Sequence, residues 1–215
     1  MRSLRPMPGN PWPHDMSITV EDNPAALLEL LWVRDAWRLD VTANAPGPLV
    51  DRAEPMHPET RAAQDTAAWE LAWPLLWSEA VAHAAEGQDP LLFERLMKPG
   101  LDPADHAALL QQLIGPTWRD HFDDAGLGGA FAEWQSRHTG RLIDRMHARQ
   151  APGDDPEHVC LAALIPAWKR GLTRVVVLPC EGTFTRTIGP LALLVTASTR
   201  EDPRRYSDAL AEFTG

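Results

Sequence analysis

The chain has 215 residues, 44% of them apolar and 23% charged, with a formal charge of -10. That apolar fraction excludes a disordered chain, and no run approaches the ~18 apolar residues of a transmembrane helix. The net negative charge argues against nucleic acid, whose phosphates it repels.

Two cysteines, Cys160 and Cys180, are too few for a disulfide scaffold, and the N-terminus lacks the apolar core of a signal peptide, so a cytoplasmic setting is expected. The preference for Arg over Lys, 18 against two, reads as the base composition of the genome. Residues 1–15 hold four prolines and no periodicity. They are expected to be a disordered leader, with Met16 an alternative start and Ser17-Ile-Thr-Val20 the approach to a strand or helix.

Residues 16–215 are expected to form one globular domain. Asn23-Pro24, Asp89-Pro90, Asp102-Pro103, Asp155-Pro156 and Asp202-Pro203 each precede a segment with helical apolar spacing. The Asx oxygen can accept from a free first-turn amide, and proline lacks a donor where the helix has no use for one. With a sixth start at His57-Pro58-Glu-Thr60, the predicted helices are 24–39, 60–86, 90–98, 103–114, 127–149, 156–171 and 203–213, with a break at Ala151-Pro-Gly153 among others. Pro74 is expected to kink or break the second of these.

From Thr173 to Thr199 the pattern changes to RVVVL, TFTRTI and LALLVTAST, separated by Pro-Cys-Glu-Gly and Gly-Pro. Short β-branched runs with tight turns predict a three-stranded antiparallel meander. The expected fold is therefore α+β: a mainly helical body over 24–171, a C-terminal antiparallel β-meander over 173–199 and a terminal helix.

Trp69, Trp73 and Trp77 recur at i, i+4 and i+8 on a segment that is apolar nearly all round, with Glu70 its only charge. Core packing explains them, although an aromatic-lined pocket with Glu70 at its edge is the sharper alternative. Arg137, Arg141, Arg145 and Arg149 form the one organised basic stripe. It suits an anionic ligand or an acidic partner, or it faces the chain's own acidic half, since residues 1–107 carry 17 acidic and eight basic groups.

Cys180, on the first turn of the meander, is the one nucleophile candidate. No cysteine-hydrolase signature surrounds it, and Glu181 disfavours a thiolate. Asp123-Asp-Ala-Gly-Leu-Gly-Gly129 lacks the preceding strand and following Lys of a phosphate cradle, and reads as a turn with Asp124 as a cap. Asp102/Asp105/His106, Asp120/His121/Asp123/Asp124 and Asp154/Asp155/Glu157/His158 lack metal-ligand spacing. No metal, cofactor or membrane partner is expected. The residues favour a non-enzymatic protein-binding or regulatory role, with small-molecule binding or catalysis among the tryptophans, an arginine and Cys180 as the alternative.

Overall fold

The computed structural model describes residues 11–41, 44–86, 91–148 and 154–215. Three sequence expectations, the Asp89-Pro90 helix start, Arg149 and the break at 151–153, lie outside the described residues. So does most of the leader; in its described end the Trp12 indole donates to the Met16 carbonyl at 2.9 Å and packs against His158.

After β1 (Thr19–Glu21) come α1 (Ala25–Trp37), α2 (Pro58–Ala62), α3 (Thr66–Ala85), α4 (Leu92–Leu96), α5 (Pro103–Ile114), α6 (Arg119–Phe122) and α7 (Gly128–Ala148). Then follow α8 (Pro156–Val159), α9 (Leu161–Lys169), β2 (Arg174–Leu178), β3 (Thr185–Ile188), β4 (Ala192–Thr196), α10 (Ala197–Glu201) and α11 (Pro203–Glu212).

Three of the Asx-Pro starts operate as caps. Asp102 accepts from Ala104 N–H at 2.8 Å, Asp155 from His158 N–H at 3.0 Å, and Asp202 from Arg204 and Arg205 N–H at 3.0 Å. Asn23 does not cap: α1 starts one residue later, with Pro24 as the boundary and no side-chain acceptor. The predicted helix 60–86 is two helices. Asp65 accepts from Ala68 N–H at 3.1 Å, and this competing cap starts α3 afresh. Pro74 sits inside α3 without breaking it. The predicted helix 156–171 divides at Cys160, whose backbone (φ -97°, ψ 21°) leaves the helical region.

The sheet corrects the predicted meander. It has four strands in the order β1-β2-β4-β3, with β1 and β2 parallel, β2 and β4 parallel, and only β3 antiparallel to β4. The reason is burial. Every residue of β2 and β4 is buried, so both need cover on both faces and take the middle, whereas β3 is buried only at Ile188 and tolerates the edge. The last strand is also shorter than expected, because Ala197 already begins α10.

Helices cover both faces. Val176, Leu178, Ala192 and Leu194 pack with α1, α3 and the first half of α7. Val175, Val177, Leu193 and Val195 point the other way, into α9 and α11 with Tyr206, Leu210 and Phe213. No described helix is long and apolar enough to cross a membrane.

Candidate functional site

Parallel pairing of β1, β2 and β4 places their carboxyl ends on one edge, where open sheets with helices on both faces characteristically hold ligands. A cleft of about 380 Å³ lies there. Asp22 and Asn23 follow β1, Pro179 follows β2, and Ala197, Arg200 and Glu201 follow β4. The opposite wall is the C-terminal half of α7, with Thr139, Leu142, Ile143 and Arg145.

Arg200 anchors the floor. Its side chain is only 5% exposed, and its Nε and Nη2 donate to the two Glu157 oxygens at 2.8 and 2.7 Å. The Tyr206 hydroxyl donates to Glu157 Oε1 at 2.9 Å, and Arg200 Nη1 reaches Asp22 at 3.5 Å. Burial alone disfavours a charged guanidinium, but the hydrogen bonds and charge of Glu157, with Asp22, raise the Arg200 pKa and keep it ionised. Burial, then the Glu157 charge, raises the Tyr206 pKa, so this phenol stays a neutral donor. α8 and α11, both started by Asp-Pro caps, bring Glu157 and Tyr206 together beneath Arg200.

The tryptophans lie elsewhere. Trp69, Trp73 and Trp77 are buried in the core between α1, α3 and α7. Trp73 stacks on Trp77 at 5.2 Å, and Trp69 meets Trp37 and Trp118 edge-on at 4.9 and 5.2 Å. Indole N–H groups of Trp37, Trp73, Trp77, Trp118 and Trp134 donate to the carbonyls of Gly126, Leu30, Asn44, Ala125 and Asp51. Trp73 thereby ties α3 to α1, and the others hold loop carbonyls, as buried indoles commonly find a nearby partner. Glu70 is half-buried, and its Oε1 accepts from Asp40 N–H at 2.9 Å.

The arginine stripe divides by position. Arg137 is exposed, Arg141 pairs with Asp51 of the acidic half at 2.9 Å, and Arg145 lines the cleft. Beneath them His138 is buried flat on Trp134, with ring centroids 5.1 Å apart. Burial and then Arg145, with a smaller push from Arg141, lower its pKa against the pull of Asp51.

Cys180 is not on an exposed turn. It is fully buried and bridges Leu49, and burial, with Asp35 adding and Arg34 opposing, pushes its thiol up to about 12. Such a thiol is a poor nucleophile. Asp124 lies four residues before the start of α7 at Gly128, and its carboxylate accepts from Arg119 Nε at 2.8 Å. Among the described residues no three His, Cys, Asp or Glu side chains converge as metal ligands.

Sequence reasoning missed Asp22, Arg200, Glu201 and Tyr206, weighed Glu157 only as part of a metal-ligand group, and missed the buried Glu29, which pairs with Arg119 at 2.7 Å. A partial signal for the cleft exists: Asp22 follows directly on β1, and Arg200 and Glu201 come shortly after β4, whose unbroken buried run implies cover on both faces. The chain matches no family model, and comparison with curated proteins and with solved structures finds no similar one.

Proposed function

We propose that the protein binds a small organic molecule in the cleft at the carboxyl edge of the sheet. One observation carries this: a 380 Å³ concavity where aliphatic side chains from strands and α7 meet a buried, hydrogen-bonded Arg200. A mostly apolar hollow with a few convergent polar groups is the usual form of a ligand site. This moves the small-molecule reading away from the tryptophans and Cys180, and assigns binding without a reaction. A cytoplasmic setting belongs to the same reading, supported by two unpaired, buried cysteines.

The test is mass spectrometry of the natively purified protein, sprayed intact and then denatured. A small molecule released on denaturation supports the reading. Thr139→Trp, which fills the cleft from α7, is expected to abolish the bound mass while leaving the unfolding transition in place. A bound mass that survives Thr139→Trp refutes the site.

A second reading, protein binding, is supported by Leu71 and Leu75, which stand one turn apart on α3 and are 84% and 61% exposed. A contiguous exposed apolar patch marks an interaction surface, and these two side chains share one face of the helix. A partner lost with Leu71→Asp and retained by Thr139→Trp would favour this role over the first.

A further inference from the structure

Two cations and two anions line the cleft, and Glu157 beneath it pairs with Arg200. Arg145 and Arg200 are the cations, Asp22 and Glu201 the anions. Arg200 commits Nε and one Nη2 donor to Glu157, and its remaining Nη1 edge meets Asp22 only at a long 3.5 Å. A guanidinium has five N–H donors, so donors are left over on the cleft side. The side chains of Arg145 and Glu201 make no hydrogen bond or ion pair among the described residues. An aliphatic wall remains on each side, with Val20 and Val177 from the strands and Leu142 and Ile143 from α7.

Each simpler ligand class leaves part of this lining unmatched. A purely apolar molecule strips water from four charged groups and returns nothing to them. A phosphate faces Asp22 and Glu201, and a plain cation faces both guanidiniums. A ligand with one anionic and one cationic group beside an aliphatic body matches every side of the cleft. Its volume of about 380 Å³ is at the small end of the range for ligand clefts, which suits a compact organic molecule.

We propose that the cleft binds a zwitterionic α-amino acid with an aliphatic side chain. Arg145 and the free edge of Arg200 hold its carboxylate, Asp22 and Glu201 hold its ammonium, and the aliphatic wall takes its side chain. This rests on the small-molecule reading above and sharpens it.

Calorimetric titration of the full chain with L-leucine, isocaproate, isoamylamine and inorganic phosphate tests it. Isocaproate keeps only the carboxylate and isoamylamine only the ammonium. L-leucine is expected to bind at least about tenfold more tightly than either analogue, each lost charge-assisted contact being worth that much. Arg145→Ala and Glu201→Gln, both at exposed positions, should each weaken L-leucine about tenfold with an unchanged unfolding midpoint. Equal or tighter binding of isocaproate, isoamylamine or phosphate overturns the proposal, as does L-leucine affinity that survives Arg145→Ala. If none of the four binds but denaturation releases another molecule, the zwitterion proposal fails and the binding reading stands. If nothing binds and nothing is released, both fall.

Discussion

Replacing Glu157 with alanine probes the foundation of the cleft. The carboxylate accepts from Arg200 Nε and Nη2 at 2.8 and 2.7 Å and from the Tyr206 hydroxyl at 2.9 Å, with both ionic side chains under a tenth exposed. Its removal leaves a buried guanidinium with only Asp22, 3.5 Å away and partly solvated, as counter-charge. Uncovering one member of a buried ion pair costs about 3–5 kcal/mol. Because Arg200 also lines the cleft, water can reach it and relieve part of the penalty, so we expect about 3–4 kcal/mol here. For a chain of this length that lowers Tm by about 6–16 °C. Urea unfolding followed by tryptophan fluorescence, with calorimetry alongside, measures both quantities. The double variant Glu157→Leu/Arg200→Met should lose less than Glu157→Ala alone, since an apolar pair of similar volume replaces a buried salt bridge at little cost. A loss below about 1 kcal/mol for Glu157→Ala, or additive losses in the double variant, would refute the reasoning.

Three further outcomes follow from burial and backbone geometry. The folded Cys180 thiol ionises at about 12 and the unfolded one near ~8.5, so its stabilisation is complete below pH ~8.5 and is lost as pH rises toward 12. Urea midpoints should fall across that window, less steeply in Cys180→Ala, and thiol reagents should react with Cys180 only after unfolding. His138 has the opposite sign: its folded pKa is depressed, so its contribution is full above pH ~6.5 and disappears as pH falls through the folded value. His138→Phe, which keeps the stack on Trp134, should flatten this acid limb in a series of urea midpoints between pH 7 and 4. Gly126→Ala is expected to destabilise by about 1–2 kcal/mol, because φ is 86° there and a Cβ meets Trp69 and Trp37 at 3.1–3.2 Å. Gly129→Ala, in the first turn of α7 with nothing within 4 Å, should be neutral or stabilising by the same urea assay.

Helix starts were legible because their chemistry is local. Asp102-Pro103 and Asp202-Pro203 place α5 and α11 to within a residue, since a carboxylate two or three positions from a free amide needs no tertiary partner. Asn23-Pro24 misled by one residue, and Asp65, with no proline after it, was overlooked as the cap that splits the predicted helix 60–86. The three C-terminal strand segments were likewise legible, RVVVL to the residue, while β1 was not counted into the sheet. Their pairing was not, because the tight turns suggested neighbours in space while the apolar runs on both faces of β2 and β4 pointed to the centre of a covered sheet. The cleft was hidden for a different reason: its lining comes from the ends of β1, β2 and β4 and from α7, segments up to 178 positions apart in the case of Asp22 and Arg200.

The same strand exchange that corrects the topology also makes the cleft. In an antiparallel meander β2 and β4 run in the same direction but flank β3, which sets their carboxyl ends roughly 10 Å apart. With β3 moved to the edge, β2 and β4 become hydrogen-bonded neighbours, Leu178 beside Thr196, and their ends close to roughly 5 Å. Pro179 and Ala197 then form one continuous wall, and α10 carries Arg200 over the end of β2 toward Asp22 at the end of β1. A cation in that position faces no carboxylate from its own strand, and Glu157 supplies one from α8, 43 positions earlier in the chain. The buried ion pair and the cleft therefore depend on each other: the parallel edge requires a counter-charge for Arg200, and the counter-charge holds Arg200 where a ligand can meet it.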